Sequence, residues 1–223
     1  MPRISIVVPV HNEEGNLRPL LEGIARSLQG IDYEVLVVND GSTDRSREEI
    51  LALDDPRIRR IDLPMRQGQS RALYEGFREA RGRILVKLDA DLQNDPADIP
   101  ALIRTIEEGY DAALGVRRKR EDPLHRRIQS RIANGFANLV LGERFRDRGC
   151  GLQAFRSEAV AGLEYWDGMH RFFPTLLKGR RMIEVEVSHR PRRHGRSKYG
   201  WFSRAVRAFR DLLRIAWRCR EGW

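Results

Sequence analysis

The sequence predicts an α/β fold: a mixed, mostly parallel sheet flanked by helices. Short apolar runs alternate with amphipathic stretches through residues 4–116, the rhythm of strand–helix–strand units. The first run, Ile4–Val10, is apolar at nearly every position, as a strand covered on both faces must be. Three runs, ending at Val10, Val38 and Leu88, pass into polar loops rich in Asp and Asn. In open α/β sheets ligands gather at the carboxyl ends of strands, so these loops converge on one edge as a candidate site.

The elements follow in order. Strand Ile4–Val10 leads into the loop His11-Asn12-Glu13-Glu14-Gly15-Asn16, and apolar spacing predicts a helix over Leu17–Leu28. Tyr33–Val38 is the second strand. Asn39-Asp40-Gly41-Ser42-Thr43-Asp44 follows it, with Ser42 or Asp44 expected to cap a helix near Arg45–Leu53. Ile58–Leu63 is a shorter strand, Gly68–Ala80 a helix, and Ile84–Leu88 the strand that leads to Asp89 and Asp91. A helix is expected over Asp98–Glu108 and a strand over Ala112–Val116. Leu124–Leu141 repeats apolar residues at Leu124, Ile128, Ile132, Phe136, Leu139 and Val140. This is an amphipathic helix whose other face holds Arg126, Arg127 and Arg131. Asp147–Phe155 is a Gly-rich turn entering a strand, Ile183–Val187 a further strand, and Arg190–Tyr199 a basic loop. The last helix, Trp201–Arg218, aligns Phe202, Val206, Phe209, Leu213 and Ala216, flanked by Arg204, Arg207, Arg210, Arg214 and Arg218.

The net charge of +9 is divided unevenly. Residues 1–115 carry 15 Lys/Arg against 21 Asp/Glu, whereas residues 116–223 carry 26 against 11. The basic half suits phosphate, nucleic acid or an anionic membrane surface. Only four of the 41 basic residues are Lys, so a general preference for Arg contributes to that count. Cys150 and Cys219 form neither a metal-ligand pattern nor a disulfide framework, which fits a reducing cytoplasmic setting. Met1-Pro2-Arg3-Ile4 enters a strand directly, so no signal peptide is expected. No apolar run approaches the roughly 20 residues that span a bilayer, so a soluble or peripheral chain is expected.

Asp89 and Asp91 are the most informative pair. Two carboxylates separated by one small residue, Ala90, at the end of a buried strand call for a partner, because an isolated buried charge is costly. Hard oxygen donors at this spacing suit Mg2+ or Mn2+, ions that commonly bridge a carboxylate to substrate phosphates. No Gly-x-Gly-x-x-Gly follows the first strand and no Walker loop occurs, which argues against a dehydrogenase and a P-loop nucleotide hydrolase. Nucleotide recognition then falls to carboxylates, backbone groups and a metal. Asp40 is placed to accept hydrogen bonds from a nucleobase, or equally to form an Asx-turn before the next helix.

Five blocks in order resemble one family. Val7-Val8-Pro9-Val10-His11-Asn12-Glu13-Glu14, Val38-Asn39-Asp40-Gly41-Ser42-Thr43-Asp44 and Asp89-Ala90-Asp91-Leu92-Gln93 are similar to the signature blocks of family 2 glycosyltransferases, which have a GT-A fold. His170-Arg171-Phe172 and Pro191–Tyr199 are similar to the polyprenyl-phosphate branch that includes dolichyl-phosphate mannose synthases. The resemblance implies that Asp89, Asp91 and Gln93 form the metal and diphosphate set. It implies that Pro9, His11, Glu13, Val38, Asp40 and Ala90 line the nucleotide, although relatives often carry Tyr or a small residue where His11 stands. Arg117, Arg131, Arg192 and Lys198 match phosphate-binding positions, with Asp91, Arg117 and Arg131 closest to the chemistry, and Gln153 lies near the sugar and acceptor pocket. Residues 1–199 are then a catalytic domain, with a nucleotide-sugar half (1–115) and an acceptor half (116–199). Residues 200–223 form a basic amphipathic helix.

On that resemblance the expected reaction is an inverting, metal-dependent transfer of a hexose, mannose from GDP-mannose first, to a polyprenyl or dolichyl phosphate. UDP-glucose and UDP-N-acetylglucosamine are the next donors. An acceptor phosphate is already an anion, so no strong general base is required. The enzyme must instead bring two anions together. A metal offsets charge on the leaving nucleoside diphosphate, and Arg side chains grip the acceptor phosphate. The lipid acceptor is expected to be reached at the cytoplasmic face of an anionic membrane or through a separate membrane protein, with the last helix packed on the domain or lying among headgroups. The alternatives are a soluble sugar or glycan acceptor, or a basic nucleic-acid-binding module. The second lacks the aromatic stacking platform expected for single strands, so no nucleic acid partner is expected.

Overall fold

The computed structural model describes residues 2–118, 124–191 and 201–220. Within the two long helices of the second half it places side chains at 128, 130–141 and 209–218. The elements are β1 (Ile4–Val10), α1 (Leu17–Ser27), β2 (Tyr33–Asp40), α2 (Ser46–Leu51), β3 (Ile58–Leu63), α3 (Gln69–Glu79), β4 (Ile84–Lys87), a 3₁₀ turn (Pro96–Asp98) and α4 (Ile99–Glu107). Then come β5 (Ala112–Arg117), α5 (Leu124–Leu141), β6 (Gln153–Arg156), α6 (Ser157–Val160), a second 3₁₀ turn (Met169–Arg171), α7 (Phe173–Leu176), β7 (Met182–Val187) and α8 (Trp201–Arg220).

Seven strands form one sheet in the order β3-β2-β1-β4-β6-β5-β7. All pairings are parallel except those of β6, which runs antiparallel to both β4 and β5. Successive residues of a strand point to opposite faces, and here both faces are covered. Ile4, Ile6, Val8 and Val10 pack with Leu17, Leu20 and Ile24 of α1 and Leu102 and Ile106 of α4. Val7, Leu36 and Val38 pack with Ala72 and Leu73 of α3 on the other face, where Phe155, Phe173, Leu212 and Ile215 also gather. This two-sided burial is why β1 reads as a continuous apolar run. Each such side chain contributes roughly 1.5–3 kcal/mol on leaving water. Pro9 is tolerated in this central strand because pairing of β1 with β4 ends at Val7–Lys87.

The expected elements are present, with shifted ends. β2 extends to Asp40, so Asp40 closes a strand rather than a turn. Neither Ser42 nor Asp44 is the N-cap of α2, which is Arg45. Asp44 still accepts the Ser46 amide at 3.0 Å, while Ser42 is taken by the amide of Asn12. The helix expected over Asp98–Glu108 opens as a 3₁₀ turn whose Asp95 side chain accepts the Ala97 amide.

The two long helices carry the main surprise. α5 has the predicted period, but Ile128, Ile132, Phe136, Leu139 and Val140 are exposed, and among its described side chains only Ala137 and Leu141 are buried. α8 packs through Leu212 and Ile215, with Asp211 buried beside them, whereas Phe209 and Leu213 of the expected stripe face outward. Period fixes which residues share a face, not which way the face turns. The side chains of Leu124, Arg126, Arg127, Phe202, Arg204, Val206 and Arg207 lie outside the described positions, and residues 192–200, with Arg192 and Lys198, lie outside the described residues. No helix among the described residues is long and apolar enough to cross a membrane.

Candidate functional site

The loops after β1 and β2 are bonded to each other, and the loop after β4 joins them through residues 67–69. His11 donates from Nδ1 to the carbonyl oxygen of Asp40 at 2.8 Å. Asn12, with φ of 54°, donates its side-chain amide to Thr43 and accepts the Thr43 backbone amide at 2.8 Å. Glu13 donates its backbone amide to Ser46 and takes the Asn16 side-chain amide on Oε2, each at 2.8 Å. Val38 and Pro9 are register partners on adjacent strands, and Val38 is fully buried. Together they make an apolar strand floor beneath the polar rim.

Asp40 organises the next loop. Its carboxylate accepts the Gln67 amide at 2.6 Å and the Gly68 amide at 2.9 Å. Gly68 has φ of 94°, a conformation only glycine adopts readily, and it starts α3. The adjacent Gln69 donates from Nε2 to Asp89 Oδ1 at 2.7 Å. The segment 67–69 thus links the acid after β2 to the acid after β4.

Asp89 is the electrostatic centre. Burial pushes its carboxyl above the ordinary carboxylate range; Asp91 and Glu13 add like charge, and Lys87 and Arg117 oppose them. Lys87 is itself buried and donates to the Cys150 carbonyl at 3.4 Å. A Cβ at Gly151 would lie 2.4 Å from Asp89 Oδ2, so the backbone of the Gly-Cys-Gly turn closes directly on this carboxylate. Ala90 is buried, and Asp91 Oδ1 accepts the Gln93 amide at 3.2 Å. Leu92 between them has φ of 59°, and a bulky residue held there stores about 1–3 kcal/mol of strain, as functional loops often do. The Gln93 carbonyl accepts the Arg190 amide at 2.8 Å and Asn94 bridges to His189, so the segment after β7 is stitched to the acidic loop.

Asp89, whose carboxyl is pushed up by burial, and the neighbouring Asp91 fit a hard divalent cation, which would relieve the like charge and take its remaining donors from phosphate and water. Among the described residues no cluster of three or more His, Cys, Asp or Glu forms a metal cage.

The basic residues are dispersed. Arg117 at the end of β5 holds Asp147 through two bonds, Nε to Oδ2 at 2.6 Å and Nη2 to Oδ1 at 2.7 Å, while its charge still acts on Asp89. Arg131 is exposed on α5. Gln153 is fully buried, with neither amide atom hydrogen-bonded, opposite Lys87 across the β4–β6 pair. His170 lies within 2.6 Å of Ser70 Oγ. Sequence reasoning missed Gln67, Gln69, Lys87, Asp147 and Gly151. The only available signal was glycine placement, at Gly68 before a helix and at Gly151 before a strand.

A mostly parallel sheet with acidic loops at the carboxyl ends of β1, β2 and β4 defines an α/β protein with a nucleotide-type site. The chain belongs to glycosyl transferase family 2, whose family model matches residues 5–163. It is 38% identical over 218 residues to an undecaprenyl-phosphate 4-deoxy-4-formamido-L-arabinose transferase of Proteus mirabilis, covering 95% of this chain and 67% of that one. It is 35% identical to a dodecaprenyl-phosphate galacturonate synthase of Rhizobium johnstonii, covering 95% and 66%. The chain thus spans about two thirds of the length of these relatives, and 63% of a further such arabinose transferase from Edwardsiella ictaluri. Among solved structures, glucosyl-3-phosphoglycerate synthase of Mycobacterium tuberculosis with Mn2+ and UDP-glucose superposes with a TM-score of 0.75 at 20% identity, covering 98% of this chain and 79% of that one. These glycosyltransferase structures establish the GT-A fold for this chain.

Proposed function

We propose that this chain transfers a sugar from a nucleotide sugar to a polyprenyl phosphate, with inversion at the anomeric carbon. The observation that carries the reading is the Asp89 centre, where two clustered carboxylates, held by Gln69 and closed by Gly151, meet Lys87 and Arg117 at the strand ends. The relatives' names supply the acceptor class, since they transfer to undecaprenyl and dodecaprenyl phosphate. Their sugars are a formamido-arabinose and galacturonate, so the mannose and GDP-mannose expectation draws no support from them.

In this reading Asp89, Asp91 and Gln93 hold a divalent cation against the donor diphosphate, and the Mn2+ and UDP-glucose of the related fold favour it. When bound, such an ion offsets charge on the departing nucleoside diphosphate. Pro9, His11, Glu13, Val38 and Asp40 line the nucleoside, with Asp40 and the 67–68 amides fixing the loop around it. Lys87 and Arg117 keep the centre from becoming too negative for a diphosphate to enter. Arg131, Arg192 and Lys198 orient the acceptor phosphate, whose own oxygen attacks the anomeric carbon as the diphosphate leaves. The enzyme would then work peripherally at a membrane surface, where polyprenyl phosphates reside.

The test is a radiolabelled panel of GDP-mannose, UDP-glucose and UDP-galacturonate. Each is offered short-chain polyprenyl phosphate or 3-phosphoglycerate, with and without EDTA. One donor should label the polyprenyl phosphate, and EDTA or Asp91→Ala should lower turnover by about 10³-fold or more. Labelling of 3-phosphoglycerate alone would replace the acceptor, and wild-type turnover by Asp91→Ala would remove the metal assignment.

A further inference from the structure

We propose that His170 contacts substrate: its imidazole, fixed by Ser70 as a neutral Nε2–H donor, gives a hydrogen bond to a phosphate oxygen of the bound substrates. Three consecutive residues at the start of α3 hold the parts of this arrangement. The Gly68 amide lies on the Asp40 carboxylate at 2.9 Å, the Gln69 side chain on Asp89 at 2.7 Å, and Ser70 Oγ 2.6 Å from His170 Nδ1. One helix start thus gathers the acid after β2, the acid after β4 and an imidazole from the second half of the chain.

The hydrogen bonds decide the tautomer. Ser70 is fully buried, and its oxygen already accepts the Gly168 amide at 3.0 Å. Among the described residues the only acceptor for its hydroxyl proton is His170 Nδ1. A proton on Nδ1 would leave that buried hydroxyl without an acceptor, a costly arrangement that folded proteins avoid. Nδ1 therefore accepts, and the ring proton of the neutral imidazole sits on Nε2. Burial and the charges of Arg171 and Lys87 oppose a second proton, so the ring stays neutral.

The Nε2–H group is left for a ligand. Among the described residues Ser70 is the only hydrogen-bond partner of His170, and Nε2 is not enclosed. His170 is half-buried, whereas Gly168, Met169 and Phe172 around it are buried. A histidine that served packing alone would be satisfied on both nitrogens or shut into the core. Lys87 acts on both His170 and Asp89, which sets the imidazole beside the electrostatic centre. A neutral N–H there adds a hydrogen bond to a phosphate oxygen without adding charge, as neutral imidazoles do for substrate oxygens elsewhere.

The inference rests on the nucleotide-sugar and phosphate-acceptor reading, and two amide variants separate the two bonds of the ring. His170→Asn keeps a polar atom near the Nδ1 position, within reach of Ser70, and removes the Nε2 donor. His170→Gln reaches the Nε2 position with an amide donor and gives up Nδ1. Transfer should fall by about 10-fold or more in His170→Asn and by no more than about threefold in His170→Gln. Stability should run the other way, with His170→Asn nearer to wild type in urea melts. A loss of transfer in His170→Gln equal to or greater than that in His170→Asn makes the residue structural and overturns the proposal. Nitrogen NMR of the imidazoles at neutral pH should show His170 as the Nε2–H tautomer. Its Nε2 signal should move when UDP, GDP or farnesyl phosphate is added with Mg2+. A response to a nucleotide assigns the bond to the diphosphate, and a response to farnesyl phosphate alone assigns it to the acceptor. A proton on Nδ1, or a ligand that binds without moving Nε2, removes the proposal alone. A wild type that binds none of the three removes the functional reading and the proposal with it.

Discussion

At the carboxyl ends of β1, β2 and β4 polar side chains bond one another, whereas on α5 and α8 large apolar side chains face outward. In the first region Asp40 holds the Gln67 and Gly68 amides, Gln69 holds Asp89, and Asn12 holds Thr43. Folding has already ordered these groups, so a ligand entering there meets a formed site. In the second region Arg117–Asp147 ties the loop after α5 to β5, Arg148–Glu143 closes that loop on itself, and Arg171–Asp211 ties α8 to the second 3₁₀ turn, while the apolar row stays exposed. One region is ordered by its own hydrogen bonds, whereas the other leaves a row of large apolar side chains exposed.

Glycine-to-alanine exchange tests this contrast directly, because its sign should differ between the regions. At Gly151 a Cβ would lie 2.4 Å from Asp89 Oδ2 and 2.7 Å from Asn94 Oδ1. Gly151→Ala should lower transfer by about 100-fold, through displacement of Asp89 from its place in the electrostatic centre. Nucleotide titration should show weakened donor binding with the circular dichroism spectrum intact. Normal donor affinity in this variant would mean that the loop cluster is not the donor site.

Much of the first region was legible in the sequence. Strand ends are marked by the change from apolar runs to Asp and Asn, and Asp89-Ala90-Asp91 announces two carboxylates at one such end. The contacts that assemble the site were not legible, since Gln69 to Asp89 and Gly151 to Asp89 join segments far apart in the chain. The position of β6 was equally hidden. The Gly-rich turn before it names a strand, but only tertiary pairing inserts it antiparallel between β4 and β5. In the second region the 3.6-residue period gave both helices, and the pull of Asp211 toward Arg171, which decides how α8 faces, left no local mark.

The seam between the regions has its own pH signature. Burial, with the charges of Arg171 and Lys87, holds the His170 imidazole well below its ordinary range. Ser70 takes the Gly168 amide at 3.0 Å and lies 2.6 Å from His170 Nδ1, a geometry that an unprotonated Nδ1 accepting the hydroxyl satisfies. Below a pH of about 6.5 the unfolded chain binds a proton that the folded chain refuses, so stability falls as pH drops and is flat above. Urea melts from pH 7.5 to 5 should show this slope in wild type and a smaller one in His170→Gln. An equal slope in both would place the titration at another group.

The smallest effect is the most discriminating for the outward face. Gly135 lies in α5 among the exposed apolar residues, and a Cβ there would meet nothing within 4 Å. A helix-interior glycine costs roughly 0.5–1 kcal/mol relative to alanine, so Gly135→Ala should raise stability by about that amount. Transfer to a soluble acceptor should be unchanged. If Gly135→Ala were destabilising, α5 would be packed against something in solution, and the uncovered row would belong to an interface already filled. A gain in stability, beside a loss of activity at Gly151, would show that the same added methyl group meets a finished site in one region and open space in the other.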